Sequence, residues 1–312
     1  MTPEVLIDVS LDAVIVAVTD DEPRLLVVDD QQEALLPSGP LDLVGDPTLE
    51  LGMRRRIREH TGLEVGYAEQ LYTFGDRGRR GNDPTTRPIS VAYLALVEES
   101  SPLPGASWIG VYDLLPWEDH REGEPAMPAH DLGQRLDRLV TSDEQRERVR
   151  VAFGPPWDGI RVVERYELLY EAGLVAEHAV DRGRAPVEGV GRSMQLDHRR
   201  IAAVALARLR GKLTYRPVVF ELLPERFTLL ELQRTVEALA GVRLHKQNFR
   251  RLVERSGLVE GTGERADARG GRPAELFRYR PAVLVERSRP GSGSRTTERR
   301  AECSRCRGPS SV

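Results

Sequence analysis

Hydrophobic and polar residues alternate along "EVLIDVSLDAVIVAV" (4–18) and then become densely β-branched, the pattern of a strand whose faces are buried. "RLLVV" (24–28) reads as a second strand, and "PSGPLDLVGDPT" as a turn-rich loop. A helix is expected from Thr48 to about His60, with Gly62 placed where a glycine stops a helix. "QLYTFGD" and "RPISVAYLALV" read as strands around the polar loop "DRGRRGNDPTT". The first hundred residues therefore predict strand, strand, helix, strand, strand: a small α+β layer.

The middle of the chain changes character. "WIGVYDLLPWEDH" is aromatic and reads as loop, and with "FGPPWDG" supplies aromatic packing. "GQRLDRLVTSDEQRERVRVAF" and "RVVERYELLYEAGLVAEHAV" carry helical periodicity. "DRGRAPVEGVGRS" (181–193) has the Gly/Pro/Arg composition of a linker. Residues 111–195 are read as a mainly helical insertion and linker.

The last part, 196–285, begins with the apolar stripe of "LDHRRIAAVALARLRGKL". "TLLELQRTVEALAG" is an amphipathic helix with Thr228 as N-cap. After the tight turn at Gly241, "VRLHKQNFRRLVERSG" makes a second helix. "LVEGTGERADARGGRPAELFRYR" gives two short strands around a Gly/Arg loop. Helix, turn, helix and basic hairpin form a winged helix-turn-helix pattern. At 100° per residue, Phe249, Leu252 and Val253 make one apolar face of the second helix. Gln247 and Arg251 point the opposite way, with Asn248 and Arg250 on the flanks. Arg, Gln and Asn are the side chains that make paired contacts to guanine or adenine edges. Lys246, near the helix start, suits a phosphate. Arg265, Arg269 and Arg272 in the hairpin suit the DNA backbone or a minor groove. His245 is read as a helix-start residue facing inward. The alternative is a winged helix used for protein contact, its charged face merely solvated.

Charge sharpens the division. The net charge of −4 over 312 residues hides an acidic first part and a basic last part. Residues 196–312 carry 25 Lys+Arg against 13 Asp+Glu, and residues 1–195 carry 20 against 36. Only the C-terminal part is suited to a polyanion. Arginine dominates, Lys212 and Lys246 being the only lysines, which a high-GC genome would equally produce. Two cysteines, Cys303 and Cys306, stand in a polar tail (286–312) expected to be disordered and basic. "CSRC" is half a zinc knuckle with no second pair, so no metal site is expected there. No signal peptide or apolar run of membrane length is apparent, and a cytoplasmic protein near the nucleoid is expected.

Candidate chemistry lies in "MRRRIREHTGL" (53–63). Anchored on Gly62, it aligns Arg55, Ile57, Glu59, Gly62 and Leu63 with the Nudix box, G-x5-E-x7-R-E-U-x-E-E-x-G-U, where U is aliphatic. Arg56 and His60 stand where that motif has glutamates, and its upstream glutamate falls at Pro47. Arg55, Arg56 and Glu59 share the helix face opposite Met53 and Ile57. A hard divalent cation needs oxygen ligands, usually more than one carboxylate. Glu59 is the one surviving carboxylate, so no catalytic residue is assigned, no cofactor is expected, and Mg²⁺ enters only if hydrolysis is retained. One reading leaves a vestigial pocket with solvated arginines. The sharper one is that an arginine neutralises a pyrophosphate directly.

A degenerate Nudix domain followed by a basic winged helix resembles the Nudix-related transcriptional regulators of bacteria. The resemblance rests on "GLEVGYAEQLYTFGD…ISVAYLALV" and, more strongly, on "DHRRIAAVALARLRGKLTYRPVVFELLPERFTLLELQRTVEALAGVRLHKQNFRRLVERSGLVEGTG" with "GGRPAELFRYR". The segment from Tyr112 to Ser193 departs from the shorter members. The resemblance implies a Nudix-like α/β/α sandwich (1–110) carrying the insertion, then the winged helix. It implies a homodimer on a palindromic double-stranded operator. It also implies a repressor relieved by ADP-ribose or a related phosphorylated metabolite, often in NAD or sugar metabolism. Its effector set would be Arg55, Arg56, Glu59, Phe74 and Asp76. Arg199 and Arg200 of "DHRR" would lie near DNA with the "QNFRR" helix and the wing. The alternative is a Nudix hydrolase of ADP-ribose-like or nucleoside diphosphate-sugar substrates with an accessory DNA-binding domain.

Overall fold

Strand β1 (Leu6–Thr19) is the axis of the molecule. Its alternation sends Leu11, Ala13 and Ile15 to one face of the sheet and Val14 and Val16 to the other, and both sets are buried. β6 (Thr86–Leu96) runs parallel beside it, in register from Leu6↔Thr86 to Val16↔Leu96, and alternates in the same way. β2 (Glu22–Asp30), β3 (Glu33–Leu35), β4 (Ser38–Pro40), β5 (Tyr67–Phe74) and β7 (Ala106–Gly110) complete a seven-stranded mixed sheet. Its order is β3-β2-β1-β6-β5, with β4 on β1 and β7 on β2. The structure, a computed structural model, describes residues 6–30, 33–76, 78, 85–125, 127–185, 189–213, 218–266 and 273–280. The tail with Cys303 and Cys306 lies outside these.

Helix α1 (Leu49–Thr61) covers one face through Met53 and Ile57. Thr48 Oγ1 accepts the Leu51 N–H at 3.2 Å, and Gly62, at φ 74°, ends the helix as the sequence predicted. The other face is covered by α2 (Val111–Leu114), a 3-10 turn (Pro116–Glu118), α3 (Ala129–Asp137), α4 (Asp143–Phe153), α5 (Val162–Glu171), α6 (Ala176–Val180) and α7 (His198–Leu213).

The segment read as a helical insertion packs on the sheet: Trp117, Tyr166 and Leu169 share one buried cluster with Val14, Val16 and Leu94. It covers the face of the sheet opposite α1. The linker candidate is strapped down, with the backbone N–H groups of Val190, Arg192 and Gln195 donating to Leu174, Asp113 and Ala34. Its polar composition reads as a linker, but its backbone is tied to three separate parts of the fold. "WIGVYDLL" is also less irregular than expected, since β7 and α2 lie in it.

A smaller core holds the C-terminal domain: Val219, Leu223, Phe227, Leu232, Phe249 and Val253, with Phe277 packed against them. A 3-10 turn (Val218–Leu222) leads into α8 (Leu229–Ala240), α9 (Lys246–Ser256) and the hairpin β8 (Val259–Arg265) and β9 (Glu275–Tyr279). Helix α7, read from the sequence with this domain, buries Ile201, Ala202, Leu206 and Leu209 in the cluster that covers the sheet.

Candidate nucleic-acid interface and ligand site

Helix α8 starts on a reciprocal cap. Thr228 Oγ1 accepts the Glu231 N–H at 3.2 Å, and Glu231 Oε2 accepts the Thr228 N–H at 2.7 Å. Glu237 then builds the turn into α9. Its Oε1 accepts from Gln233 Nε2 at 2.7 Å and Leu244 N at 2.9 Å, and its Oε2 from Arg243 Nη1 at 3.1 Å. Burial pushes this carboxyl up, but the bonds from Gln233, Leu244 and Arg243 outweigh it and hold the group below its usual range. The entry of α9 is thereby fixed.

On α9, Phe249 and Val253 are buried, while Lys246, Gln247, Asn248, Arg250, Arg251 and Arg255 are exposed. None of these cations makes an ion pair with a described residue, in contrast to the paired arginines of the first domain. A helix that presents unneutralised guanidinium and amide groups together suits a polyanion with readable edges. Two details differ from expectation. Leu252 is 67% exposed, because Phe249 and Val253 alone reach the small core. His245 occupies the helix start but faces solvent. Arg265 is exposed at the end of β8; Arg269 and Arg272 lie outside the described residues.

Arg199 and Arg200 are not on this surface. Arg199 is fully buried, its guanidinium donating to Leu114 O and Val190 O and pairing with Glu177 at 3.3 Å. Arg200 faces three carboxylates, Asp76, Glu167 and Asp197, and lies over the Phe74 ring. Both expected DNA contacts are thus structural ties of α7.

The effector set separates for the same reason. Leu71 is an extra residue in β5, where the register slips between Gln70 and Tyr72. That bulge turns Phe74 into the core on the α7 face, leaving it 2% exposed, and Asp76 is drawn to Arg200. Phe74 is therefore unavailable to a ligand.

On α1, Arg55, Arg56 and Glu59 do come together. Arg55 Nε and Nη2 each reach Asp46 at 2.9 Å, and its Nη1 reaches both Glu59 oxygens at 3.0 and 3.1 Å. Arg55 holds the Asp46 carboxyl well below its ordinary value. Arg56 donates to Pro40 O at 2.9 Å and to Glu59 Oε2 at 3.4 Å. Burial, then the nearby Arg56 charge, holds His60 below the ordinary 6.5, so it adds no charge at neutral pH. These residues do not fit Mg²⁺: Glu59 is engaged by two guanidinium groups, and Asp46 is spent on Arg55. Among the described residues, no group of three or more His, Cys, Asp and Glu is placed to hold a metal. A recess of about 480 Å³ beyond the C-terminal end of α1 is lined by Glu64, Glu98 and Glu221, which disfavour an anion.

The two domains are joined by buried polar groups that sequence reasoning missed. Glu118, fully buried, takes Arg165 at 2.6 Å and Arg210 at 2.5 Å. Arg210 also donates to Leu239 O, Tyr112 OH to Ala238 O at 2.6 Å, and His120 N to Gly241 O at 2.7 Å. The last carbonyls of α8 are thus capped by the first domain. Burial pushes the Tyr112 phenol up, keeping it a donor. "LLPWEDH" reads from the sequence as aromatic packing alone, which leaves Glu118 within it unremarked.

Residues 219–279 match the model of the NrtR DNA-binding winged helix domain. The chain is 27% identical over 244 residues to the ADPR responsive transcriptional repressor NtrR of Acinetobacter baylyi, which covers 78% of this chain and 68% of that protein. Its fold is similar to that of Shewanella oneidensis NrtR complexed with a 27mer DNA, with a TM-score of 0.57 and 22% identity over 89% of this chain and 95% of that one. It is also similar to a MutT/nudix family protein from Enterococcus faecalis, with a TM-score of 0.54 and 16% identity over 90% and 87% of the two chains. Among the described residues, no helix is long and apolar enough to cross a membrane.

Proposed function

Starting from a chain that joins a Nudix-like domain to an NrtR-type winged helix, we propose that it is a DNA-binding transcriptional repressor responsive to a small pyrophosphate metabolite. The observation that carries this is α9, whose exposed Lys246, Arg250, Arg251 and Arg255 have no carboxylate partner among the described residues. Gln247, Arg250 and Arg251 read base edges, and Lys246 and Arg265 meet phosphates. The ligand is ADP-ribose or a related sugar nucleotide, the class named for the Acinetobacter relative. The protein acts in the cytoplasm as a homodimer on a double-stranded operator.

The route between the sites runs through a chain of hydrogen bonds. Pro40 O holds Arg56, and four residues earlier Leu36 N donates to His198 Nδ1 on α7. At its far end α7 holds α8 through Arg210. Ligand at Arg56 shifts this lever, and with it the placement of two winged helices against their half-sites.

Fluorescence anisotropy of the full chain on genomic DNA fragments tests the DNA role. Affinity should fall linearly on a log–log plot against salt, through counterion release. Salt-insensitive binding, or none, would favour a protein-contacting winged helix. A Mg²⁺-dependent hydrolase is the weaker reading, since Glu59 is already engaged by Arg55 and Arg56.

A further inference from the structure

A pyrophosphate at the α1 site needs its charge neutralised, and two oxygens there converge on a single point: the Glu59 carboxylate of α1 and Pro40 O of β4. In a metal site such donors would flank a divalent cation. Here a guanidinium lies between them, with Arg56 Nη2 2.9 Å from Pro40 O and Nη1 3.4 Å from Glu59 Oε2. Its seat is shaped for it. A Cβ on Gly39 would fall 2.9 Å from Arg56 Nε and 3.1 Å from its Cδ and Cζ, so the side chain lies against bare backbone. Arg55 engages both oxygens of Glu59 and is itself pinned by Asp46, whose side chain is 2% exposed. Arg56 Nε is shielded from solvent against Gly39, and the 20% of the side chain that is exposed lies elsewhere on it. Nη1 and Nη2 carry two N–H groups each and spend one apiece on Glu59 and Pro40, which leaves one on each for an incoming anion.

We infer that this site binds its pyrophosphate ligand on Arg56 as a resident cation, without divalent metal, and that Gly39 and Arg56 form a matched pair. This rests on the effector reading above. A guanidinium supplies charge and a forked set of donors. It does not acidify a bound water as a metal does, so the ligand is held intact.

The test has two arms on the full chain. First, Mn²⁺ alone is titrated, with free ion followed by electron paramagnetic resonance. The wild type should show no stoichiometric site, and a site that Glu59→Gln removes would overturn the assignment. Second, ADP-ribose is titrated calorimetrically in EDTA and in Mg²⁺. Affinity should be the same in both. Arg56→Met should weaken it by about tenfold to a hundredfold, with Arg56→Lys in between. Gly39→Ala, by displacing the guanidinium without removing its charge, should weaken binding in the same direction as Arg56→Met but by less. Binding that requires Mg²⁺, or wild-type affinity in Arg56→Met, would overturn the inference. If ADP-ribose binds in neither buffer, the effector reading falls and the Mn²⁺ arm alone decides the resident cation.

Discussion

The backbone N–H of Leu36 donates to Nδ1 of His198 at 2.9 Å, in the interior between the sheet and α7. A backbone amide can only donate, so Nδ1 is the bare nitrogen and the ring proton sits on Nε2, 3.8 Å from Asp12 Oδ2. Replacing His198 by Leu would leave the Leu36 N–H buried without its acceptor. His198→Leu should cost about 1–3 kcal/mol in denaturant unfolding, and His198→Asn, whose amide oxygen can accept, clearly less. Equal stability of the two variants would show that the bond is not what holds α7 to the segment that follows β3.

Arg210 is 3% exposed on its side chain and joins Glu118 to the C-terminus of α8. Arg210→Met removes one of the two cations that compensate a buried carboxylate. A loss of about 3–5 kcal/mol is expected from equilibrium unfolding. Gly241→Ala should disturb the same seam, since its φ is 70° and a Cβ would lie 2.4 Å from Glu118 O. Wild-type stability in both variants would mean that the domains are held by other contacts.

The two groups of arginines should behave differently on DNA. Arg251→Ala should relax sequence preference by about 1–3 kcal/mol in competition gel shifts. Arg200→Ala should leave affinity and salt slope unchanged, because its guanidinium is spent on Asp76, Glu167 and Asp197. A salt slope reduced by about one in Arg200→Ala would return that residue to the DNA surface.

His120 packs at a tilt against Trp157, 4.3 Å between ring centres, and its backbone N–H donates to Gly241 O. Burial lowers its pKa below the ordinary 6.5; nearby Glu118 opposes this, while Arg165 and Arg210 reinforce it. Below 6.5 the unfolded chain takes up this proton before the folded one does. Its contribution to stability is therefore complete above 6.5 and declines as pH falls toward the folded value. Tm measured from pH 7.5 to 5.5 should fall less steeply in His120→Gln than in the wild type. An identical slope would exclude His120 as a contributor.

Caps and periodicity made α1, α8, α9 and the hairpin legible, because Thr48, Gly62, Thr228 and Gly241 act through local backbone geometry. Strands β3, β4 and β7 have three to five residues, too few to show a period. Leu71 carries no local sign of the bulge that turns Phe74 inward. Arg199 illustrates the remaining difficulty. Beside Arg200 it reads as a basic pair, and only the tertiary fold brings Leu114 O, Val190 O and Glu177 around it. Arg55, Arg56 and Glu59 do share one helix face, but Asp46, which pins Arg55, falls at an unspecified position of the motif, and Gly39, the glycine nearest its upstream one, is out of register with it.

The central claim is that ligand in the Nudix-like domain weakens DNA binding by α9. The most direct measurement is anisotropy of the full chain on a DNA fragment that it selects from a genomic library, with and without saturating ADP-ribose. The account predicts a DNA affinity lower by about fivefold to 150-fold with ligand, and the same factor lost from ligand affinity when DNA is bound. Unchanged DNA affinity while calorimetry shows the ligand site filled would contradict it.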